Sequence, residues 1–186
     1  MGLRKSIRSK LGNYRFQQEI KKIKLKREVV GFDEARKIGL LYDATEDHNY
    51  EVVKQYVKSV RSRQKEVLAL GFVDKKILPA NQFAQYGLDF FTRKNLNWQM
   101  IPGNTIVTNF INEKFDILIN LNSNKCFPLR YISAVSHARF RVGRFDKKDM
   151  ICYDLMIKVK SDTGIKIFIE EAEKYLSQIK SNHEHQ

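Results

Sequence analysis

The pattern that most constrains this chain runs from residue 37 onward, where short continuous apolar runs alternate with amphipathic helical stretches. Residues 38–42, 67–73, 88–91, 115–121, 139–143 and 153–159 read as strands, with 88–91 a candidate sheet edge. Val53, Tyr56, Val57 and Val60 mark one helix face, and Ile106, Val107, Phe110 and Ile111 mark a second. Pro128 suits the first turn of a third helix carrying Ile132 and Val135. A fourth follows at Ile165, Phe168, Ile169, Ala172, Tyr175, Leu176 and Ile179. Residues 74–87 read as a loop with a short helix after Pro79. Strands that are apolar throughout are dry on both faces, which parallel sheets between helix layers require. The expected fold is therefore α/β: three layers, a mostly parallel sheet of about six strands, Rossmann-like or flavodoxin-like. With 186 residues, 42% of them hydrophobic, residues 32–186 form a single domain with one sizeable core.

Charge is distributed unevenly around that domain. Residues 1–28 hold Arg4, Lys5, Arg8, Lys10, Arg15, Lys21, Lys22, Lys24, Lys26 and Arg27 against only Glu19 and Glu28. The segment is thus +8 of the chain's +13. Leu3, Ile7, Leu11 and Tyr14, then Phe16, Ile20 and Ile23, recur at helical steps, with Gly12-Asn13 as a break between two pieces. Residues 1–31 are therefore read as a basic amphipathic helical arm. Its apolar stripe can pack on the domain, or the arm can lie along nucleic-acid phosphates or an anionic membrane. The start Met1-Gly2-Leu3-Arg4-Lys5-Ser6 fits a myristoylation pattern, but that pattern is short and common by chance. The longest apolar run, 67–73, has seven residues, far short of the ~18 a membrane-spanning helix needs. Two cysteines make no disulfide framework, which suits a reducing compartment.

Chemistry-bearing motifs are sparse. No GxGxxG follows the first strand and no GxxxxGK[ST] occurs, so neither a dinucleotide fingerprint nor a P-loop is present. Open parallel sheets bind ligands beyond the carboxyl ends of strands where strand order reverses. If the first and central strands are neighbours, Asp43, Thr45, Glu46 and Asp47 meet Asn120, Asn122, Ser123, Asn124 and Lys125 there. Carboxylates and amides could orient a polar ligand and Lys125 could meet a phosphate; the same residues also serve as helix caps and turns. Asp43 stands where a phosphotransfer aspartate would, yet Thr45 replaces the second Asp such a site wants. Cys126 precedes a helix start, where the dipole could lower its thiol pKa, whereas isolated cysteines are ordinarily small core residues. His48, His137, His183 and His185 lack metal-site spacing, so no metal and no cofactor are expected. A second basic cluster, Arg130, Arg139, Arg141 and Arg144, is interleaved with Tyr131, Phe140 and Phe145, a composition that suits RNA. Strand alternation also explains it, with Phe140 and Val142 pointing inward and Arg141 pointing out.

Two resemblances carry further expectations. The runs Ile38-Gly39-Leu40-Leu41-Tyr42-Asp43-Ala44-Thr45, Leu70-Gly71-Phe72-Val73-Asp74, Leu96-Asn97-Trp98, Lys114-Phe115-Asp116, Phe140-Arg141-Val142-Gly143 and Cys152-Tyr153-Asp154-Leu155-Met156 resemble an uncharacterised protein family of Bacteroidota. That resemblance implies a bacterial, cytoplasmic protein and brings no activity or catalytic residues. Phe115-Asp116-Ile117-Leu118-Ile119-Asn120-Leu121 and Ala138-Arg139-Phe140-Arg141-Val142-Gly143 are similar to the first domain of heptosyltransferase-like glycosyltransferases. It covers one strand–helix–strand unit, and such transferases need a second domain for which this chain has no room. It implies Rossmann-like topology only.

The leading functional expectation is a non-enzymatic RNA-binding or ribosome-associated protein, contacting phosphates through the ten arm residues and the second arginine cluster. The competing expectation is an enzyme or sensor binding a small, phosphorylated or sugar-like ligand at Asp43, Thr45, Asn120, Asn122 and Lys125. An anionic membrane surface is a third partner class, and the sequence leaves the oligomeric state open.

Overall fold

The computed structural model describes residues 16, 18, 20, 27–79, 85, 87–122 and 126–179. The expected break at Gly12-Asn13 and the short helix after Pro79 lie outside these residues. Six strands are formed: β1 (Lys37–Asp43), β2 (Glu66–Val73), β3 (Leu88–Thr92), β4 (Ile117–Asn120), β5 (Phe140–Arg144) and β6 (Leu155–Ile157). Among the described residues four helices accompany them: α1 (Asp47–Ser62), α2 (Thr105–Asn112), α3 (Phe127–Val135) and α4 (Ile165–Gln178). Every strand pair is parallel, and the order is β3-β2-β1-β4-β5-β6. This is the doubly wound Rossmann order, not the flavodoxin one. β3 does lie at an edge.

The two apolar faces of each strand explain the layers. Ile38, Leu40, Tyr42, Ile117, Ile119, Phe140 and Val142 face one way and bury against α1 and α4 through Val53, Val57, Val60, Phe168, Ala172 and Leu176. Leu41, Leu70, Phe72 and Leu118 face the other way and meet Val107 and Phe110 of α2 and Leu129 and Ile132 of α3. Right-handed crossovers require this arrangement, because the chain leaves β1 for β2 in one direction and β4 for β5 in the other. Arg63 joins α1 to α4 by a forked pair with Glu173.

Two expectations are corrected here. Arg141 does not point to solvent: only 7% exposed, it lies on the face that α3 covers, and its charge is matched by Asp154. The last strand is shorter than 153–159, because Tyr153 and Asp154 serve other partners. Asp154 accepts from the backbone N–H of Arg141 at 2.9 Å, and Tyr153 packs against Gly143.

Candidate functional site

Strand order reverses between β1 and β4, which pair from Ile38↔Ile117 to Leu41↔Asn120. The juxtaposition expected from the sequence is therefore present. On the β1 side, however, the polar groups close a turn. Asp43 Oδ1 accepts from Thr45 N–H at 2.9 Å, and the Asp43 carbonyl accepts from Asn49 Nδ2 at 3.1 Å. Thr45 Oγ1 accepts from Asp74 N–H at 2.9 Å, and Asp74 in turn pairs with Arg93. On the β4 side Asn120, 4% exposed, donates from Nδ2 to the Tyr153 hydroxyl at 2.8 Å and accepts from Asn122 N–H at 3.1 Å. Ser123, Asn124 and Lys125 lie outside the described residues.

A cleft of about 240 Å³ opens beyond β4, β5 and β6 rather than between β1 and β4. Asn120, Asn122 and Tyr153 give it polar walls, and Cys126 and Arg130 line it from the start of α3. Arg144, Phe145, Asp146 and Asp149 come from the β5–β6 connection, and Val159, Lys160 and Ser161 from the chain after β6. Gly143 makes this wall possible, since a Cβ there would lie 2.6–2.7 Å from the Tyr153 ring. Arg130 Nη1 pairs with Asp149 at 2.9 Å, while Asp146 accepts from Lys148 N–H and starts a short 3-10 turn. The Arg144 guanidinium stacks 4.3 Å from the Phe168 ring centre, and burial lowers its pKa from the usual arginine value.

Three of the described arginines from the sequence reading, Arg27, Arg139 and Arg141, already serve the fold. Arg27 donates to the carbonyls of Ala138 and Ser136. Arg139 bridges Glu28 at 2.6 Å and Asp116 at 2.9 Å on the amino edge of the sheet. Burial alone would raise the Asp116 carboxyl, but the N–H groups of Lys37 and Arg36 and the Arg139 guanidinium outweigh it and hold it below the ordinary carboxylate range. Arg141 binds both Asp154 oxygens, at 2.8 and 3.0 Å, and the Ala134 carbonyl at 3.2 Å. Arg4, Lys5, Arg8, Lys10, Arg15, Lys21, Lys22, Lys24 and Lys26 lie outside the described residues.

Of the two readings of Cys126, a packed residue fits and an activated thiol does not. Burial, not the helix dipole, dominates at Cys126 and pushes its thiol up to about 12; burial does the same at Cys152. No group of three or more His, Cys, Asp or Glu among the described residues is placed to hold a metal ion. No described helix is long and apolar enough to cross a membrane.

Sequence reasoning found Asn120 and Asn122 because they end a strand. It missed Tyr153, Asp146, Asp149 and Lys160, whose approach to β4 depends on the long β5–β6 crossover. The one local signal for that wall is Gly143, a glycine inside a strand, which marks a close approach.

A six-stranded parallel sheet in Rossmann order, with a polar cleft at its carboxyl edge, defines a doubly wound α/β protein. Residues 8–179 match a family of unknown function (DUF6913), and the chain belongs to that family. No curated protein and no solved structure matches it.

Proposed function

We propose that this protein binds a small polar ligand in the cleft beyond β4, β5 and β6. The observation that carries the reading is where the cleft lies: at the carboxyl edge, next to the reversal of strand order, where doubly wound sheets bind ligands. Asn120 and Asn122 keep the role given them above, whereas Asp43 and Thr45 close the β1 turn and are not needed as ligand groups. A panel of sugar phosphates, nucleotides and carboxylic acids tests this by thermal stabilisation of the full chain. Asn122→Ala is expected to abolish the stabilisation and Asp43→Ala to retain it. Equal stabilisation of wild type and Asn122→Ala rejects the site.

A second reading, RNA or ribosome binding through the basic arm, is favoured by the +8 charge of residues 1–28. The root of the arm is fixed to the body by Phe16 against Phe127 and Tyr131, by Arg27, and by Glu28 paired with Arg139. The arm would supply phosphate contacts while the body sets orientation, in a bacterial cytoplasm, as the resemblance to a family of Bacteroidota implies. Co-sedimentation with ribosomes or RNA that disappears on ribonuclease treatment supports it. Flotation with anionic liposomes instead would make a membrane the partner.

A further inference from the structure

The charged groups that line the cleft are not equally committed. Asp149 is neutralised by Arg130, and Asp146 is held as the cap of its own turn. Lys160 is exposed and makes no ion pair among the described residues. Arg144 Nε is buried with no hydrogen-bond partner among them, and Arg144 Nη2 reaches only the Gly164 carbonyl, at 3.4 Å. With Arg130 and Asp149 cancelling each other, Arg144 and Lys160 against Asp146 leave the lining net positive, which favours an anionic ligand. Beside these two cations Phe145 lines the same cleft while 45% exposed, a flat apolar ring with open space against it. A bare phosphate or a sugar phosphate has nothing to lay on that ring, whereas a nucleobase does. Asn120, Asn122 and Ser161 add amide and hydroxyl groups suited to a ribose or a base edge. A volume of about 240 Å³ lies below the range of about 300–1,000 Å³ typical of whole-ligand pockets. The enclosed part of the ligand is therefore its phosphate and sugar, and the base rests at the open end.

Building on the small-ligand reading above, we infer that the cleft is a site for a nucleoside monophosphate unit. Arg144 and Lys160 take the phosphate, Phe145 stacks on the base, and the amide wall faces the sugar. The unit can be a free nucleotide or an unpaired nucleotide of RNA.

The test is calorimetric titration of the full chain with AMP, UMP, ribose 5-phosphate, adenosine, inorganic phosphate and a tetranucleotide RNA. Wild type is compared with Lys160→Gln and Phe145→Ala, both surface changes whose melting curves check the fold. The nucleotides should bind about tenfold or more tighter than ribose 5-phosphate, adenosine or inorganic phosphate. Phe145→Ala should weaken them about tenfold by loss of stacking, and Lys160→Gln by a similar factor through loss of a charge-assisted contact. Tetranucleotide binding that both variants weaken assigns the source as RNA; nucleotide binding with no variant-sensitive tetranucleotide binding assigns it as the free nucleotide. If ribose 5-phosphate binds as tightly as AMP and Phe145→Ala changes nothing, the nucleotide assignment is overturned while the ligand cleft stands. If neither these compounds nor the panel above binds, both fall.

Discussion

Arg141 shows what a single residue must do inside a sheet covered on both faces. Its side chain is 8% exposed and that of Asp154 18%, so the pair is largely out of water. Desolvating two charges costs several kcal/mol each, and the fork of two N–H···O contacts plus the Ala134 carbonyl offsets that cost. Removing one partner leaves the other charge stranded. Asp154→Ala is therefore expected to destabilise the protein by about 3–5 kcal/mol, whereas the double change Arg141→Met with Asp154→Leu should recover most of that loss, short of the cost of the Arg141 backbone N–H that Asp154 also accepts. Urea denaturation midpoints of the two variants check this, and a near-silent Asp154→Ala would show that water reaches the pair. The sequence could not display the arrangement. Alternation places Phe140 and Val142 on one face and Arg141 on the other, but whether that other face is wet depends on α3 and on residues 149–154, which arrive from elsewhere. Cys126 is a related case: a helix start is visible in the sequence, whereas the burial that keeps its thiol protonated, as in an ordinary packed cysteine, is not.

At the scale of elements, most of the fold was written locally. The runs at 38–42 and 67–73 appear as β1 and β2 with one residue added at each end of the first and one at the start of the second. Pro128 sits in the first turn of α3 as its fixed φ prescribes. The cleft wall was not local, because it is made by β5 and the chain that crosses to β6. Its tightest point is Gly143 beneath Tyr153, whose hydroxyl accepts from Asn120 at 2.8 Å. A methyl group at 143 must displace a buried ring, not a flexible chain end. Gly143→Ala is expected to cost about 1–3 kcal/mol by overpacking and to weaken ligand binding in the cleft. Gly103→Ala, with nothing within 4 Å of the added Cβ, is the control and should change neither. Thermal melts and near-ultraviolet circular dichroism of the tyrosines compare the two; equal behaviour would mean that Tyr153 moves aside freely.

Over the whole molecule, parallel pairing could be read from strands that are apolar throughout, while the order β3-β2-β1-β4-β5-β6 could not, since it is set by contacts far apart in sequence. The same distance matters for the arm. Phe16 is 3% exposed, packs with Phe127 and Tyr131, and lies 5.5 Å below the Arg130 guanidinium, which itself lines the cleft and pairs with Asp149. Deleting residues 1–28 would strip that ring from α3, and would also remove Arg27 from the Ala138 carbonyl and Glu28 from Arg139. A truncation therefore disturbs both candidate sites at once and cannot separate them. Replacing Lys21, Lys22, Lys24 and Lys26 by Gln removes charge and keeps Phe16, Arg27 and Glu28. Each lost phosphate contact flattens the log–log salt dependence by about 0.9 on duplex or about 0.7 on a single strand, so four flatten it by about 3–4. RNA binding measured from low to moderate salt should show that change, with nucleotide affinity in the cleft and the melting temperature unaltered. An unchanged slope would remove these four lysines from the RNA interface. A fall in nucleotide affinity alongside the slope would mean that the arm and the cleft hold one ligand between them, through the wall that Arg130 shares with Phe16.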